Sequence, residues 1–520
     1  MYLTQTLHRS ARTQPKKLAT IYAARRTDYA TMLDRVARLG GALRALGVGT
    51  GDRVALLSLN SDRYLEYFYA VYWAGAVVNP ANIRWSVGEI AYSLADCDTR
   101  VLLVDDQFLP MLPALRAQAP CLTTVIHCGD GETPDGLLSY EVLIKAHEPS
   151  EEVVRGGEDL AGIFYTGGTT GFPKGVMLPH RSLYANGLAI VADTEGTDFR
   201  NMIGLHAAPM FHLADHAFTN ALAMAGGTHV MLPMFNPKQV AEIIEREKIT
   251  GAVLVPTMVQ MLADAPTTKD HDLSSLSLLL YGGSPIAETV VDRALQVMPH
   301  VRMMQGYGMT ELGPLATALH HESHVGQGRA EGKLRSAGRP MMIADVRIVD
   351  HNSNEVARGT VGEIAVRGPG MMHGYWNKPE ETAKAIKHGW MHTGDGGYMD
   401  EDGFVFIADR IKDMIVTGGE NVYSVEVENA VAKHPAVMQC AVIGVPDDKW
   451  GELVHVCVVP KPGMSLTLAE LQEHCKALIA GYKVPRVLEI IEELPMSGAG
   501  KILKNKLREK HWEGRNRKVG

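Results

Sequence analysis

The stretch 165–176, YTGGTTGFPKGV, is rich in glycine, carries threonines and a single lysine, and is bounded by apolar residues. Such a loop grips phosphate. Glycine lets the backbone turn its N–H groups towards an anion, and the lysine adds charge. It fails the spacing test for a P-loop, which needs glycine, four residues, glycine, then lysine and a hydroxyl residue. Counting from Gly167, the second glycine falls on Phe172, and Lys174 is followed by Gly175. The chain therefore holds phosphate by another arrangement, and its surroundings decide which.

Around this loop, helix-period and short β-rich segments alternate. DRVALLSL (52–59), RVLLVDD (100–106), TTVIHC (123–128), THVMLP (228–233) and GAVLVP (251–256) are compact apolar runs followed by turn residues or helical patterns. VAEIIEREK (240–248) and AETVVDRALQVM (287–298) read as amphipathic helices between such strands. The alternation predicts parallel α/β layers. From about residue 340 the texture changes: DVRIVD, GEIAVRG and GFVFIADR are alternating runs separated by Gly, Asn and Asp turns, a smaller antiparallel element. Beyond Arg410 the pattern predicts IVTGG, a helix over 424–433, strands over 437–445 and 453–460, a helix over 467–479, a strand over 486–491 and a basic helix from 502. The expected fold class is α/β multi-domain: a large N-terminal body of layered α/β subdomains plus a β-rich element, then a small C-terminal α+β domain. ADRIKD (408–413), charged between two apolar strands, is the boundary.

Composition excludes several functions. With 520 residues, 46% hydrophobic, 21% charged and a formal net charge of -8, the chain is an ordinary globular protein whose main business is not nucleic acid. The longest apolar run, YFYAVYWAGAVV (67–78), is too short for a membrane span and reads as a buried helix. The N-terminus MYLTQTLHRSARTQPKK is basic and hydroxyl-rich but lacks an apolar signal core, and it serves equally well to open a first helix. Cysteines 97, 121, 128, 440, 457 and 475 form no C-x-x-C pair and read as reduced, mostly buried thiols of a cytoplasmic protein.

Further glycine-rich turns follow the first: YGGSP (281–285), QGYGMTE (305–311), WMHTGD (390–395), DRIKD (409–413), TGGENV (417–422) and MSGAGKILK (496–504). In this order, across about residues 10 to 510, the set resembles the ANL superfamily of adenylate-forming enzymes, in its acyl-CoA synthetase branch. The resemblance implies two steps. A carboxylate attacks the α-phosphorus of Mg·ATP, giving an acyl-adenylate and pyrophosphate; the thiol of coenzyme A then displaces AMP. Because a carboxylate must approach a polyanion, charge neutralisation and positioning carry the catalysis.

By the same resemblance, Thr166, Gly167, Gly168, Thr169, Thr170, Gly171 and Lys174 hold the β- and γ-phosphates. Thr310 and Glu311 place a phosphate oxygen and Mg²⁺, a hard cation suited to carboxylate oxygen. Gly283, Ser284, Pro285, Gln305, Gly306 and Tyr307 form the adenine site, with Tyr307 stacked on the base. Asp395 accepts the ribose hydroxyls, and Arg410 reaches the ribose or α-phosphate. Lys501 bridges the α-phosphate and the substrate carboxylate in the first step, and His212 is the aromatic gate at the acid. Residues 1–409 are then the adenylation domain, 410–412 with Lys412 the hinge, and 413–520 a mobile small domain. Gly418, Gly419 and Trp450 lie on its other face, where a pantetheine arm would pass, and the basic tail meets the nucleotide phosphates of coenzyme A.

Two positions depart from the superfamily pattern: Gly167 stands where a serine is usual, and Ala499 where a threonine is usual. HLADH (212–216) mimics an inverted zinc motif with Asp for Glu. Pocket or structural histidines are the favoured reading there. Leu213 occupies the place where amino-acid-activating members carry an acid, so a plain carboxylic acid is expected. HAAPMFHLADHAFTNALAM (206–224), rich in Ala and Met, predicts room for a medium- or long-chain fatty acid. Aryl acids, a methylthio-propionate type acid and polycyclic acids remain open, as do delivery to a carrier protein, a homodimer and a catalytically silent nucleotide-binding relative.

Overall fold

The computed structural model describes residues 1–167, 173–194, 196–410, 413–418, 420–496 and 502–513. The two large sheets of the body are built from the short apolar runs. One has nine strands, with the parallel run Ile203–His206, Gly251–Leu254, Leu278–Gly282 and Arg302–Gly308 at its centre. The other has eight, with Arg53–Leu57 between Val77–Pro80 and Val101–Val104, all parallel. Strands buried on both faces read as continuous hydrophobic runs rather than alternating ones, and Gly251–Leu254 and Val101–Val104 are buried throughout.

Helices cover these sheets. Asp62–Trp73 is buried at every position, which accounts for the apolar run at 67–78. That run is not one helix, however: Gly75 takes a positive φ of 75° and the chain restarts as the strand Val77–Pro80. A left-handed residue is a common helix stop. Among the described residues no helix is long and apolar enough to cross a membrane. All six cysteines are free thiols, four of them buried.

From Asp345 to Arg410 the chain forms the expected antiparallel sheet, with Gly362–Arg367 between Asp345–Val349 and Trp390–Met399. After residue 413 come the strands Ile415–Thr417, Val437–Asp447, Gly451–Pro460 and Val487–Ile490 in one sheet, with helices Ser424–Val431, Leu468–Lys476 and Lys504–Trp512. This sheet has its own apolar core around Val427, Val442, Val456 and Leu471.

Candidate active site

The strand Leu160–Thr166 and its antiparallel neighbour Lys174–Pro179 bracket the opening loop, with Thr166 opposite Lys174 in register. Lys174 Nζ lies 2.7 Å from Glu381 Oε2 and 5.1 Å from the centre of the Tyr375 ring. The Tyr375 hydroxyl in turn donates to Glu311 Oε1 at 2.7 Å. Burial, and then the Glu311 charge, raise the Tyr375 pKa, so the hydroxyl keeps its proton and remains a donor. Tyr375 thus ties the phosphate-loop lysine to the carboxylate expected to hold the metal.

Glu311 is buried and held from several sides. It sits in the short 3₁₀ turn Thr310–Leu312, whose Leu312 carbonyl accepts from the Asn186 amide at 3.0 Å. The Met372 N–H donates to the Glu311 carbonyl at 2.9 Å. A buried carboxylate in this cleft is an oxygen ligand of the kind Mg²⁺ takes, so Glu311 fits the ion.

The adenosine side is equally connected. The Tyr307 hydroxyl donates to Asp395 Oδ2 at 2.8 Å, joining the expected base platform to the expected ribose acceptor. Asp395 follows a turn clamped by Glu363, whose carboxylate meets His392 Nδ1 at 2.7 Å and accepts from the Gly394 N–H at 3.0 Å. Gly282 and Gly306 sit opposite one another on adjacent parallel strands. A Cβ on Gly282 would stand 2.2 Å from the Gly306 carbonyl oxygen. The glycines of YGGSP and QGYGMTE thus let two strand ends close up, as a flat ligand site needs.

Thr166, Gly167, Lys174, His212, Thr310 and Glu311 line one cleft of about 1780 Å³. Gly283, Ser284, Pro285, Gln305, Gly306, Tyr307 and Asp395 line it too, so the structure brings together most of the residues expected at the site. From the small domain, Met496, Ile502, Lys504 and Arg508 line the opposite rim. Gly168, Thr169, Thr170, Gly171, Lys412, Gly419 and Lys501 lie outside the described residues, as does the Arg410 side chain. The Arg410 backbone pairs with Asp395 in the sheet.

Gly418 and Trp450 do not line the cleft; they pack against each other. The Gly418 N–H donates to the Trp450 carbonyl at 2.8 Å, and a Cβ on Gly418 would meet the indole at 2.9 Å. The basic helix is less available than its sequence implies. Lys504 pairs with Glu428 at 2.8 Å, Arg508 with Asp413, and Lys510 with Glu489.

His212 caps the buried helix Leu213–Ala225, with Nδ1 accepting from the Ala214 N–H at 3.3 Å. The zinc-like HLADH pattern dissolves into separate roles. Asp215 meets His206 Nδ1 at 2.8 Å, and His206 Nε2 meets His229 Nδ1 at 3.0 Å. His216 packs between Phe68 and Phe164, and burial lowers its pKa to about 3. His324 holds the Tyr281 hydroxyl at 2.8 Å. Tyr375, Glu381 and Glu363 are not among the residues the sequence motifs point to. The Gly-Tyr before a proline-started helix at 379–385 was the available signal for the first two.

Residues 7–376 match the family model for the AMP-binding enzyme, and residues 426–501 the model for the AMP-binding enzyme C-terminal domain. The chain belongs to the AMP-binding enzyme family. It is accordingly an adenylate-forming, AMP-releasing ligase of the ANL superfamily, in the acyl-CoA synthetase branch. Among curated relatives it is 39% identical to a feruloyl-CoA synthase of Amycolatopsis sp, over 96% of this chain and 97% of that one. It is 38% identical to a long-chain-fatty-acid–CoA ligase of Thermus thermophilus, over 94% of this chain and 90% of that one. Among solved structures, the amide bond synthetase McbA from Marinactinospora thermotolerans superposes with a TM-score of 0.86 at 31% identity, covering 97% of this chain and 99% of that one.

Proposed function

We propose that this family member activates a compact aromatic carboxylic acid with ATP and transfers it to coenzyme A, releasing AMP and pyrophosphate. One observation carries the choice of acid. Of residues 206–224, only Phe211, His212 and Leu213 line the cleft. Ala207, Ala208, Ala217, Phe218, Ala221 and Leu222 are packed in the core instead. The Ala- and Met-rich segment that predicted a long acyl channel is therefore filled by its own neighbours, and the cleft wall near His212 suits a flat, short acid. The feruloyl-CoA relative supports the same reading. The fatty-acid relative of nearly equal identity favours a second one, in which the chain takes a medium- or long-chain acid.

In the first step the acid carboxylate displaces pyrophosphate from the α-phosphorus. His212 Nδ1 is occupied as an acceptor, which would leave Nε2 to orient the incoming carboxylate. Lys174, with Thr166, Thr169, Thr170 and the amides of Gly167, Gly168 and Gly171, would hold the leaving phosphates. Thr310 and Glu311 would hold Mg²⁺, which when bound draws charge from the phosphate oxygens. Tyr307 and Asp395 would fix the adenosine over Gly283, Ser284, Pro285, Gln305 and Gly306, with Arg410 nearby, and Tyr375 acts as a positioning residue between Lys174 and Glu311. Lys501 would stabilise charge at the α-phosphate.

In the second step the coenzyme A thiolate attacks the adenylate carbonyl and AMP leaves. A turn about Lys412, between a 1–409 body and a 413–520 domain, would bring Gly418, Gly419 and Trp450 to the cleft for this step. The test is AMP release across ferulate, indole-3-acetate, anthranilate and saturated fatty acids, each with and without coenzyme A. A higher kcat/KM for the aromatic acids, dependent on coenzyme A, supports the proposal; preference for the fatty acids establishes the second reading. Adenylation that coenzyme A leaves unchanged points to another acceptor.

A further inference from the structure

The small domain gathers a set of side chains that the adenylate chemistry does not use. His455 and Cys457 lie two residues apart on the strand Gly451–Pro460, so alternation puts both on one face. The strand Val487–Ile490 runs parallel beside it, with Glu489 opposite Cys457. One oxygen of Glu489 sits among them: Oε2 is 3.2 Å from His455 Nε2 and 3.9 Å from Cys457 Sγ. The three ligand atoms all lie within 4.8 Å of one another, the one such group among the described residues. Helix Lys504–Trp512 covers this face, where Leu507 packs with Cys457. The same helix brings His511 Nε2 to 4.0 Å from Glu489 Oε2, with its ring 4.7 Å from that of His455. Lys510 takes the other Glu489 oxygen, Oε1, so the inward oxygen keeps its place.

The packing leaves these imidazoles unsatisfied. His455 is 2% exposed, and neither of its ring nitrogens makes a hydrogen bond; the 3.2 Å approach to Glu489 lacks the geometry of one. His511 Nε2 is buried without a hydrogen-bond partner as well. Buried polar atoms are ordinarily paired, and those that are not need a reason. A cation would supply one. Thiolate, imidazole and a single carboxylate form the donor set of zinc, not of magnesium or calcium. A tetrahedral ion about 2.0–2.3 Å from each ligand holds ligand atoms about 3.3–3.8 Å apart, close to the separations around Glu489 Oε2.

We propose that His455, Cys457 and Glu489 bind a zinc-type divalent cation, with His511 completing the tetrahedron from the C-terminal helix. On binding, the Cys457 S–H gives its proton to solvent as the sulfur–metal bond forms, with no change of oxidation state. The ion staples helix Lys504–Trp512, which follows directly on the segment bearing Lys501, to the sheet of the small domain.

The test is a Co²⁺ titration of the full-length, chelator-stripped protein followed by absorption. One equivalent should bind with a thiolate-to-cobalt charge-transfer band in the near ultraviolet and intense tetrahedral d–d bands, both erased by Zn²⁺. Cys457→Ser should lose the charge-transfer band, and His511→Ala should weaken binding while keeping it. Glu489→Gln changes a partly exposed residue and tests the site even where the cysteine variant does not fold. It should weaken Co²⁺ binding at least about tenfold, as loss of an anionic ligand does. No charge-transfer band in the folded wild type, an unchanged band in Cys457→Ser, or unchanged affinity in Glu489→Gln would each overturn the site.

Discussion

The two walls of the cleft hold their charges differently. In the large body, Lys174 meets Glu381 with 25% and 39% of the two side chains exposed. On the small domain, Lys504–Glu428 is 15% and 17% exposed, and Arg508–Asp413 13% and 11%. An exposed pair is worth little and exchanges readily; a buried one is costly to break, because the partner left behind stays desolvated. The lysine expected to meet phosphate is therefore on the exchangeable pair. Of the cations that follow Lys501, Lys504 and Arg508 are on the more buried pairs and anchor the helix.

The strongest way to test the division is at the buried carboxylate of the body. Glu311→Gln keeps the side-chain volume and the contact with Tyr375 but removes the charge. Pyrophosphate release should fall by about 10²–10³-fold, as when one preorganised electrostatic group is lost from an active site, with the fold intact by circular dichroism. A loss below about tenfold would remove Glu311 from the phosphate chemistry. Next comes the anchor. Arg508→Met removes a mostly buried charge partner of Asp413 and should cost about 3 kcal/mol of small-domain stability in urea unfolding. Lys174→Met should shift that stability by less than about 0.5 kcal/mol. Equal shifts for the two variants would erase the contrast between the walls.

Much of this arrangement was legible in the sequence, for a physical reason. Parallel strands such as Gly251–Leu254 and helices such as Pro237–Glu247 are local patterns, and glycine turns such as YGGSP and QGYGMTE record where backbones must come close. Partnerships across the chain were not legible. Nothing near Lys174 announces Glu381, 207 residues away, and nothing near Cys457 announces Glu489. The acyl segment shows a related limit: Ala and Met leave room only where nothing else fills it, and several of its alanines pack in the core of the nine-stranded sheet.

A moderate effect follows from the buried histidines. His216 has its pKa lowered by burial from 6.5 to about 3, so it is neutral in the fold and binds a proton readily only when unfolded. The unfolded state then holds more protons at mildly acid pH. The stability that His216 contributes above its unfolded pKa is lost as the pH falls from about 6.5 towards 3. The urea midpoint should drop between about pH 7 and about pH 5, and His216→Leu should flatten that drop. An identical slope in the variant would mean that other groups carry the acid sensitivity.

The smallest expected effect is also the sharpest on the exchangeable pair. Glu381 is held by Lys174 at 2.7 Å and by Lys384 at 3.3 Å, and these cations lower its pKa, Lys174 foremost. If Lys174 leaves Glu381 to take phosphate, Glu381→Gln removes a competitor, and the KM for ATP should fall about two- to fourfold, the worth of an exposed ion pair. If Glu381 instead holds the lysine in position, the KM should rise. Ionic strength separates these effects from damage to the fold. A competition between exposed charges shrinks with added salt, so wild type and variant should converge as salt rises. A difference that persists at high salt would place Glu381 among the fixed groups, and the body and the small domain would then hold their charges alike.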